Sequence, residues 1–204
     1  MDKIIALCGE SGSGKSTIAE LLEKDGYNYI QSYTTRKPRN KGERGHIFVD
    51  KNSIEYFHML DQLDGYIGIP HGKKFKIKNN IIAYTFYDNE HYWATKEQYQ
   101  GKGTSVYVID PTGIRMMKEK VTDAEIVVIY LKVDEKVRQN RMADRKSKYV
   151  THSPSRGWMA GLLIGQRITN DRKAFKIVEC NYVVDANRHV KKVFQDIKDI
   201  IKKC

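Results

Sequence analysis

Short apolar runs alternate with amphipathic segments along most of the chain. Continuous apolar runs at 4–8, 105–110 and 126–133 are typical of strands that are buried on both faces of a sheet. Weaker strand patterns lie at 27–30 and 182–184. Because strands and helical patterns alternate, the sequence predicts an α/β fold with a parallel sheet covered by helices on both faces.

Helical spacing of apolar residues predicts the elements between these strands. A first helix follows the glycine-rich residues 9–16 and ends at Gly26. Further helices are predicted at 113–120, from Asp134 to 146, at 162–179 and from Val190 onwards. Residues 147–160 are rich in Ser, Thr, Pro and Gly and predict a mobile loop.

Residues 32–95 show a different pattern from the rest of the chain. They contain polar turns, many aromatic residues and short alternating runs such as 81–87, which indicates an inserted β-rich lobe. We therefore expect 32–95 to be an insertion in the α/β core that the other strands and helices form.

Length, charge and cysteine spacing limit the kinds of ligand and partner that the sequence favours. A chain of 204 residues suits one sizeable domain with one or two inserted lobes, and its net charge of +11 favours anionic partners: nucleotides, nucleic acid or a membrane surface. The cysteines Cys8, Cys180 and Cys204 have no zinc-like or CxxC spacing. Neither a signal peptide nor an apolar run of roughly 18 residues is present, so we expect a cytoplasmic protein with no membrane partner.

The stretch GESGSGKS at 9–16 fits the pattern G-x-x-x-x-G-K-[ST] between a strand and a helix. Glycines let successive backbone N–H groups point inwards, where they and the helix N-terminus hold phosphate oxygens. Lys15 would reach the β- and γ-phosphates of ATP, and the Ser16 hydroxyl would bind Mg²⁺. A flexible turn that matches by chance is the alternative. The predicted ATP-binding residues are Gly9, Ser11, Gly12, Ser13, Gly14, Lys15, Ser16 and Thr17.

A second phosphate-binding pattern, SYTTRKPR, lies at 32–39. Arg36 and Arg39 are three residues apart and follow hydroxyl side chains. Guanidinium groups pair bidentately with phosphate oxygens and hydroxyls add donors, so the segment suits a phosphate monoester. An ordinary basic loop is the alternative.

Other charged residues are spaced so that they could lie near a bound phosphate. Arg138, Arg141 and Arg145 share one face of a predicted helix, where they face an anion or form a solvated basic surface. Asp110 ends a buried strand near the glycine-rich loop. Its carboxylate would hold Mg²⁺ directly or through water, or would cap the next helix.

The pattern S-x-T-T-R-x-P-R, followed by G-E at 42–43 and G-x-x-F at 45–48, resembles the acceptor-site signature of guanylate kinases. The similarity continues in YWAT (92–95), IDPTG (109–113), RMADR (141–145) and IGQRI (164–168). The resemblance implies a P-loop kinase fold and transfer of the ATP γ-phosphoryl group to GMP or dGMP, with Mg²⁺, to give the nucleoside diphosphate and ADP.

The resemblance also implies a P-loop core formed by 1–31, 96–136 and 168–204, a nucleoside monophosphate-binding lobe at 32–95 and a mobile lid at 137–167. It implies roles for individual residues as well. The implied acceptor-binding residues are Ser32, Thr35, Arg36, Arg39, His46, Tyr84, Trp93, Thr95 and Asp110. The implied catalytic residues are Lys15 and the lid arginines Arg141, Arg145 and Arg167. Ser16 and Asp110 are the predicted metal ligands.

Two departures from the family pattern leave alternatives open. Tyr84 stands where the family has a glutamate that accepts from guanine N1–H and from its exocyclic amine, and a tyrosine hydroxyl cannot do both. A different or modified nucleoside monophosphate is therefore the alternative acceptor. The span from Arg145 to Arg167 is longer than the family's and would contact the base or a partner, or be a simple insertion.

Three further interpretations stay open at this stage. A non-catalytic binding module would keep the fold but would not need Lys15 or the lid arginines. A nucleic-acid-binding protein would explain the charge but not the two phosphate motifs. We expect one or two members of the aromatic cluster to line the acceptor pocket and the others to be core: Tyr84, Phe86, Tyr87, Tyr92 and Trp93.

Overall fold

The computed structural model describes residues 1–39, 41–64, 80–147 and 154–204. Its strands are β1 (Asp2–Cys8), β2 (Asn28–Ile30), β3 (Ser32–Thr34), β4 (His46–Phe48), β5 (Ile81–Tyr87), β6 (Glu90–Thr95), β7 (Thr104–Val108), β8 (Ala124–Lys132) and β9 (Tyr182–Asp185). Its helices are α1 (Lys15–Lys24), α2 (Ile54–Asp64), α3 (Pro111–Lys120), α4 (Glu135–Ser147), α5 (Pro154–Ala174) and α6 (Val190–Lys203), with a short 3₁₀ turn at Lys96–Gln98.

The larger sheet has five parallel strands in the order β2-β7-β1-β8-β9. Helices α1 and α6 cover one face, where Ile18, Leu22 and Ile197 pack on the strands. Helix α3 and the first residues of β5 cover the other face. The predicted α/β fold with a doubly covered parallel sheet is therefore confirmed.

The central strand β1 explains the position of the glycine-rich loop. Residues 4–8 are buried because β1 lies between β7 and β8 and is covered on both faces. In parallel α/β sheets, ligands bind outside the carboxyl ends of the strands. The loop at 9–14 leaves the carboxyl end of β1, and Asp110 follows the end of the neighbouring strand β7.

The smaller sheet has the order β4-β3-β6-β5 and lies within the predicted lobe. Strands β5 and β6 form a hairpin whose turn residues, Asp88 and Asn89, have φ of 55° and 60°. Asp and Asn tolerate this left-handed conformation better than other side chains, which suits a two-residue hairpin turn.

The segment predicted to be a β-rich lobe also contains a helix, since α2 packs Tyr56, Met59 and Leu60 against the small sheet. One sequence-based expectation is wrong in part. The loop predicted at 147–160 is helical from Pro154 onwards, because proline is well tolerated at the first position of a helix. Residues 148–153 lie outside the described residues. Within the described ranges, no helix has the length and apolar character that crossing a membrane requires.

Candidate active site

The glycine-rich loop is a backbone cradle at the N-terminus of α1. Gly14 caps this helix with φ 96°, and a Cβ built there would meet nothing within 4 Å, so the space in front of the helix is open. Gly12 has φ 81°, and its Cβ would lie 2.8 Å from the backbone oxygen of Arg138. The loop is therefore packed tightly on its inner side and open on the side where a phosphate would bind.

Lys15 lies across the loop. Its Nζ donates to the backbone oxygens of Gly9 and Glu10, the latter at 3.0 Å, and to Ser13 Oγ at 3.3 Å. These acceptors hold the ammonium group at the mouth of the cradle. Ser16, in the first turn of α1, is exposed, as is the next residue, Thr17.

Three charged residues contact the tightly packed side of the loop: Glu10, Arg138 and Asp171. We call this cluster the buried triad. Arg138 is only 2% exposed and pairs with Glu10 Oε1 at 3.2 Å and with Asp171 Oδ2 at 3.4 Å. Asp171 accepts from the Ser11 backbone N–H at 2.8 Å. Of the two alternatives predicted for Arg138, the solvated basic surface is wrong, and the anions that it faces are two carboxylates of the chain itself.

Arg141 joins the loop to the end of the large sheet. Its guanidinium donates to the backbone oxygens of Gly12 and Ser13 and to that of Ala186 at 2.9 Å. It lines a cavity of about 270 Å³ next to the loop, together with Gly12, Ser13, Gly14, Thr17, Ile18, Ala186, Arg188, Val190 and Val193. The lining residues that follow β9 were not predicted as site residues from the sequence: Ala186, Arg188, Val190 and Val193.

Asp110 is placed beside the loop and also caps α3. Its Oδ1 accepts from the Gly113 backbone N–H at 2.9 Å, as in an N-cap. Both Asp110 and Lys15 act electrostatically on Cys8, the last residue of β1, whose pKa burial raises to about 12. The capping alternative is thus observed, and the carboxylate lies at the same sheet edge as the cradle.

The pairing of the small sheet defines a second group of polar residues. Residues opposite one another across strands share a face, so the pairs Ser32–His46 and Thr34–Tyr92 lie on one side. The rings of His46 and Tyr92 are 5.8 Å apart, and Tyr92 interacts with the Arg36 guanidinium. The hydroxyl of Ser32 is 3.1 Å from that of Tyr107 on β7, which brings this face against the large sheet.

Arg36 and Arg39 converge on one carboxylate. Arg36 donates bidentately to Glu43 at 2.8 and 3.0 Å, and Arg39 contacts it with its backbone N–H at 2.6 Å and its guanidinium at 3.7 Å. Burial alone would raise the pKa of Glu43, but these hydrogen bonds lower it below its usual value. The two arginines therefore hold a planar anionic group, the Glu43 carboxylate, and their predicted binding of an acceptor phosphate stays a prediction.

His46 is neutral in this environment. Burial, reinforced by the positive charges of Arg36 and Arg39, lowers its pKa to about 4. The ring also bonds to the Ser32 backbone, while Nδ1 is buried and has no hydrogen-bond partner among the described residues. Because the neutral ring donates its one N–H to the Ser32 backbone, Nδ1 carries a lone pair and can accept from a donor. It would donate to a phosphate oxygen only once the ring is protonated, which the negative charge of a phosphate beside the ring would favour.

This environment predicts that acid destabilises the fold through His46. Its pKa is about 4 when folded and near 6.5 when unfolded, so the unfolded state takes up the proton first. The stabilisation is complete above pH 6.5 and is lost as the pH falls towards about 4, by up to about 3 kcal/mol. Thermal melting of His46→Gln should change less between about pH 7 and 5 than that of the parent protein; an equal loss would contradict the assignment.

Tyr84 and Trp93 lie on the opposite face of the small sheet. They pair with each other across β5 and β6, and Trp93, 3% exposed, stacks on Tyr33 with ring centroids 5.3 Å apart. Tyr84 bonds to His91 Nδ1 at 2.9 Å under α2. The structure therefore places Tyr84 and Trp93 on the face of the sheet opposite to His46, and their predicted contact with the acceptor stays a prediction.

Four more residues were predicted to bind the acceptor or to act in catalysis: Thr35, Thr95, Arg145 and Arg167. Thr35 donates to Glu90 and accepts from the His91 backbone N–H at 3.0 Å. Thr95 contributes its backbone N–H to Gln98, 3.0 Å away, at the 3₁₀ turn. Arg167 is half-buried in α5, and the side chain of Arg145 lies outside the described part of the structure.

Comparison with known proteins supports the fold. No protein-family model matches this chain, and no curated protein sequence matches it. The crystal structure of guanylate kinase from Anaplasma phagocytophilum superimposes with a TM-score of 0.59 and 17% identity, over 99% of this chain and 85% of that one. The protein has a guanylate kinase-like fold. At this identity, the guanylate kinase-like architecture is what the two chains share, and function must be argued from the site.

Proposed function

We propose that this guanylate kinase-like protein is an ATP-dependent nucleoside monophosphate kinase. The observation that carries the proposal is the presence, at neighbouring edges of the two sheets, of two arrangements of hydrogen-bond donors that are suited to phosphate groups. One is the open cradle in front of α1 with Lys15 at its mouth. The other is the face that carries Arg36, His46 and Tyr92, which contacts β7 through Ser32.

ATP is the proposed ligand of the first arrangement. Backbone N–H groups of residues 9–17 and the α1 N-terminus would hold its phosphates, and Lys15 would leave the loop carbonyls for the β- and γ-phosphates. The adjoining cavity of about 270 Å³ would take the nucleoside end. There, Val190 and Val193 offer apolar contacts to a base, and Arg141 lies between this cavity and the glycine-rich loop.

Mg²⁺ is the proposed metal, held between the ATP phosphates and the protein. Ser16 is exposed at the first turn of α1, next to the open cradle, and Asp110 lies at the same sheet edge. A hydroxyl and a carboxylate suit this cation, which keeps several waters and takes few protein ligands. When bound, the ion would neutralise charge on the transferring phosphoryl group.

The acceptor phosphate is proposed to bind at Arg36, Arg39, His46 and Tyr92. Its oxygens would take the place that the Glu43 carboxylate holds, because two guanidinium groups already converge there. An acceptor oxygen would then attack the γ-phosphorus of ATP and ADP would leave, with the transferring group held between the two sheets. The catalytic role of Arg141, Arg145 and Arg167, and the division into core, lobe and lid, belong to this proposal.

GMP or dGMP is the proposed acceptor, on the basis of the sequence resemblance around 32–48. A different or modified nucleoside monophosphate is the alternative acceptor, and the side chains of β5 supply an argument for it. Since Tyr84 faces α2, the pocket side of β5 at this level carries Ala83 and Thr85. Neither side chain is a carboxylate, and a carboxylate is what best accepts from the two donor groups of guanine.

A coupled assay of ADP release tests this proposal. Protein, ATP and Mg²⁺ are combined with each common ribo- and deoxynucleoside monophosphate in turn. We expect turnover with one acceptor or one closely related pair, with GMP and dGMP first. Turnover with another monophosphate would favour the alternative acceptor, and ATP binding without turnover on any acceptor would favour a non-catalytic module.

A further inference from the structure

The buried triad is an unusual combination of charges directly beneath a phosphate-binding loop. Two of its members, Arg138 and Asp171, are 2% and 6% exposed. Two carboxylates face a single guanidinium, so the group carries a formal charge of −1 next to a site proposed to bind a polyanion. Buried charges are costly and an apolar group of similar size would usually pack as well.

The hydrogen bonds of the triad show what the charges hold in place. Asp171 accepts from both the backbone N–H of Ser11, at 2.8 Å, and its hydroxyl, at 3.3 Å. Arg138 donates to the Ser11 backbone oxygen at 3.4 Å. Both backbone polar groups of one loop residue are therefore fixed by the triad. Glu10 is further held by the Tyr130 hydroxyl of β8 at 2.9 Å.

The backbone of Arg138 also restricts the path of the loop. The Cα of Gly12 lies so close to α4 that an added Cβ would be 2.8 Å from the Arg138 oxygen. The backbone positions of residues 10, 11 and 12 are thus fixed by Arg138 of α4 and by its two carboxylate partners. The N–H groups that follow in the loop are the proposed phosphate donors, and their direction depends on this path.

We propose that Arg138 is a positioning residue for the nucleotide phosphates. Held between Glu10 and Asp171, it fixes the loop in the shape that presents its N–H groups to ATP or ADP, and it ties that shape to the relative position of α4 and α5. This inference rests on the proposal that the loop binds a nucleotide, but not on which acceptor is used or on whether an acceptor is phosphorylated.

A purely structural role predicts a different result from a positioning role. If the triad only joined two helices, its loss would lower stability and leave nucleotide affinity unchanged at temperatures where the protein is folded. The chain contains a matched control for this. Arg172 of α5 pairs bidentately with Glu135 of α4 at 2.7 and 3.0 Å, at the surface and away from the loop. It joins the same two helices without touching residues 9–14.

The test is the binding of ADP with Mg²⁺ by isothermal titration calorimetry, with the melting temperature of each variant measured in parallel. In Arg138→Met, two carboxylates lose their cation and Ser11 loses a donor, so we expect ADP affinity to fall at least about tenfold. In Arg172→Met, it should stay within about twofold, since exposed pairs contribute little. Arg138→Lys keeps the charge without the two-pronged geometry and should recover only part of the affinity.

Two further results decide the inference. The double variant Arg138→Met, Asp171→Asn removes one unpaired carboxylate and keeps an acceptor for Ser11, so it should bind ADP more tightly than Arg138→Met alone. Should Arg138→Met not fold, Arg138→Lys replaces it, and wild-type affinity in whichever variant folds would overturn the proposal. Parent protein that binds ADP but phosphorylates no acceptor would refute the kinase proposal and leave this one standing; parent protein that binds no ADP would refute both.

Discussion

Lys15→Met is expected to reduce phosphoryl transfer by at least about a thousandfold while the protein remains folded. The ammonium group lies at the mouth of the cradle, bonded to the Glu10 oxygen at 3.0 Å and to Ser13 Oγ at 3.3 Å, from where it would reach the transferring phosphate. Methionine has a similar length and no charge. The measurement is kcat in the ADP-release assay with the acceptor found there.

Lys24→Met is the matched control for this variant. Lys24 is an exposed residue in the last turn of the same helix, so its replacement removes the same charge without altering the cradle. We expect nearly unchanged kcat for it. Loss of activity in both variants would show that net charge rather than the position of Lys15 determines the rate. Retention of activity in both would show that Lys15 does not act in phosphoryl transfer.

Arg36→Met is expected to lower kcat/KM for the acceptor about a hundredfold with little change in KM for ATP. Arg36 is the guanidinium that holds the Glu43 carboxylate bidentately and lies over the Phe48 ring at 5.2 Å, within the proposed acceptor site. Its loss would remove two parallel hydrogen bonds to the acceptor phosphate. Initial rates at varied acceptor and fixed ATP, and the reverse, separate the two KM values.

The control for Arg36 is Arg44→Met. Arg44 belongs to the same segment but pairs with Glu23 of α1 at 2.8 Å, and its side chain is 57% exposed. We expect this variant to behave like the parent protein in both KM values. A rise in KM for ATP as large as that for the acceptor in Arg36→Met would mean that Arg36 acts on the whole site, and would refute its assignment to the acceptor.

The central parts of the fold could be predicted from the sequence because they depend on local patterns. The continuous apolar runs of β1 and β8 arise from burial on both faces, which is a property of the strand itself. The cradle at 9–16 is likewise a local structure, since its glycines and the helix that follows are contiguous. Helix α2 was missed because the aromatic residues around it dominated the pattern.

Other features of the site depend on interactions that a sequence does not display. Alternate residues of a strand face opposite sides, so the sequence could not tell that Tyr84 and Trp93 lie on the face opposite to His46. Helical spacing placed Arg138 opposite an anion or in solvent, without showing which anion it faces. Its partners, Glu10 and Asp171, are 128 and 33 residues away, and only the fold brings them together.

The ion pair of Glu43 with Arg36 means that the proposed acceptor site carries its own counter-ion. Any anion that binds Arg36 must displace or share with a carboxylate that the chain holds at 2.8 Å and that stays ionised because its pKa is lowered. A singly charged anion would replace the Glu43 carboxylate with an equal charge, so it would gain little binding free energy. A phosphate monoester brings a second charge and a third oxygen, so we expect the site to select for dianionic phosphates over the chloride and carboxylates of the surrounding solution.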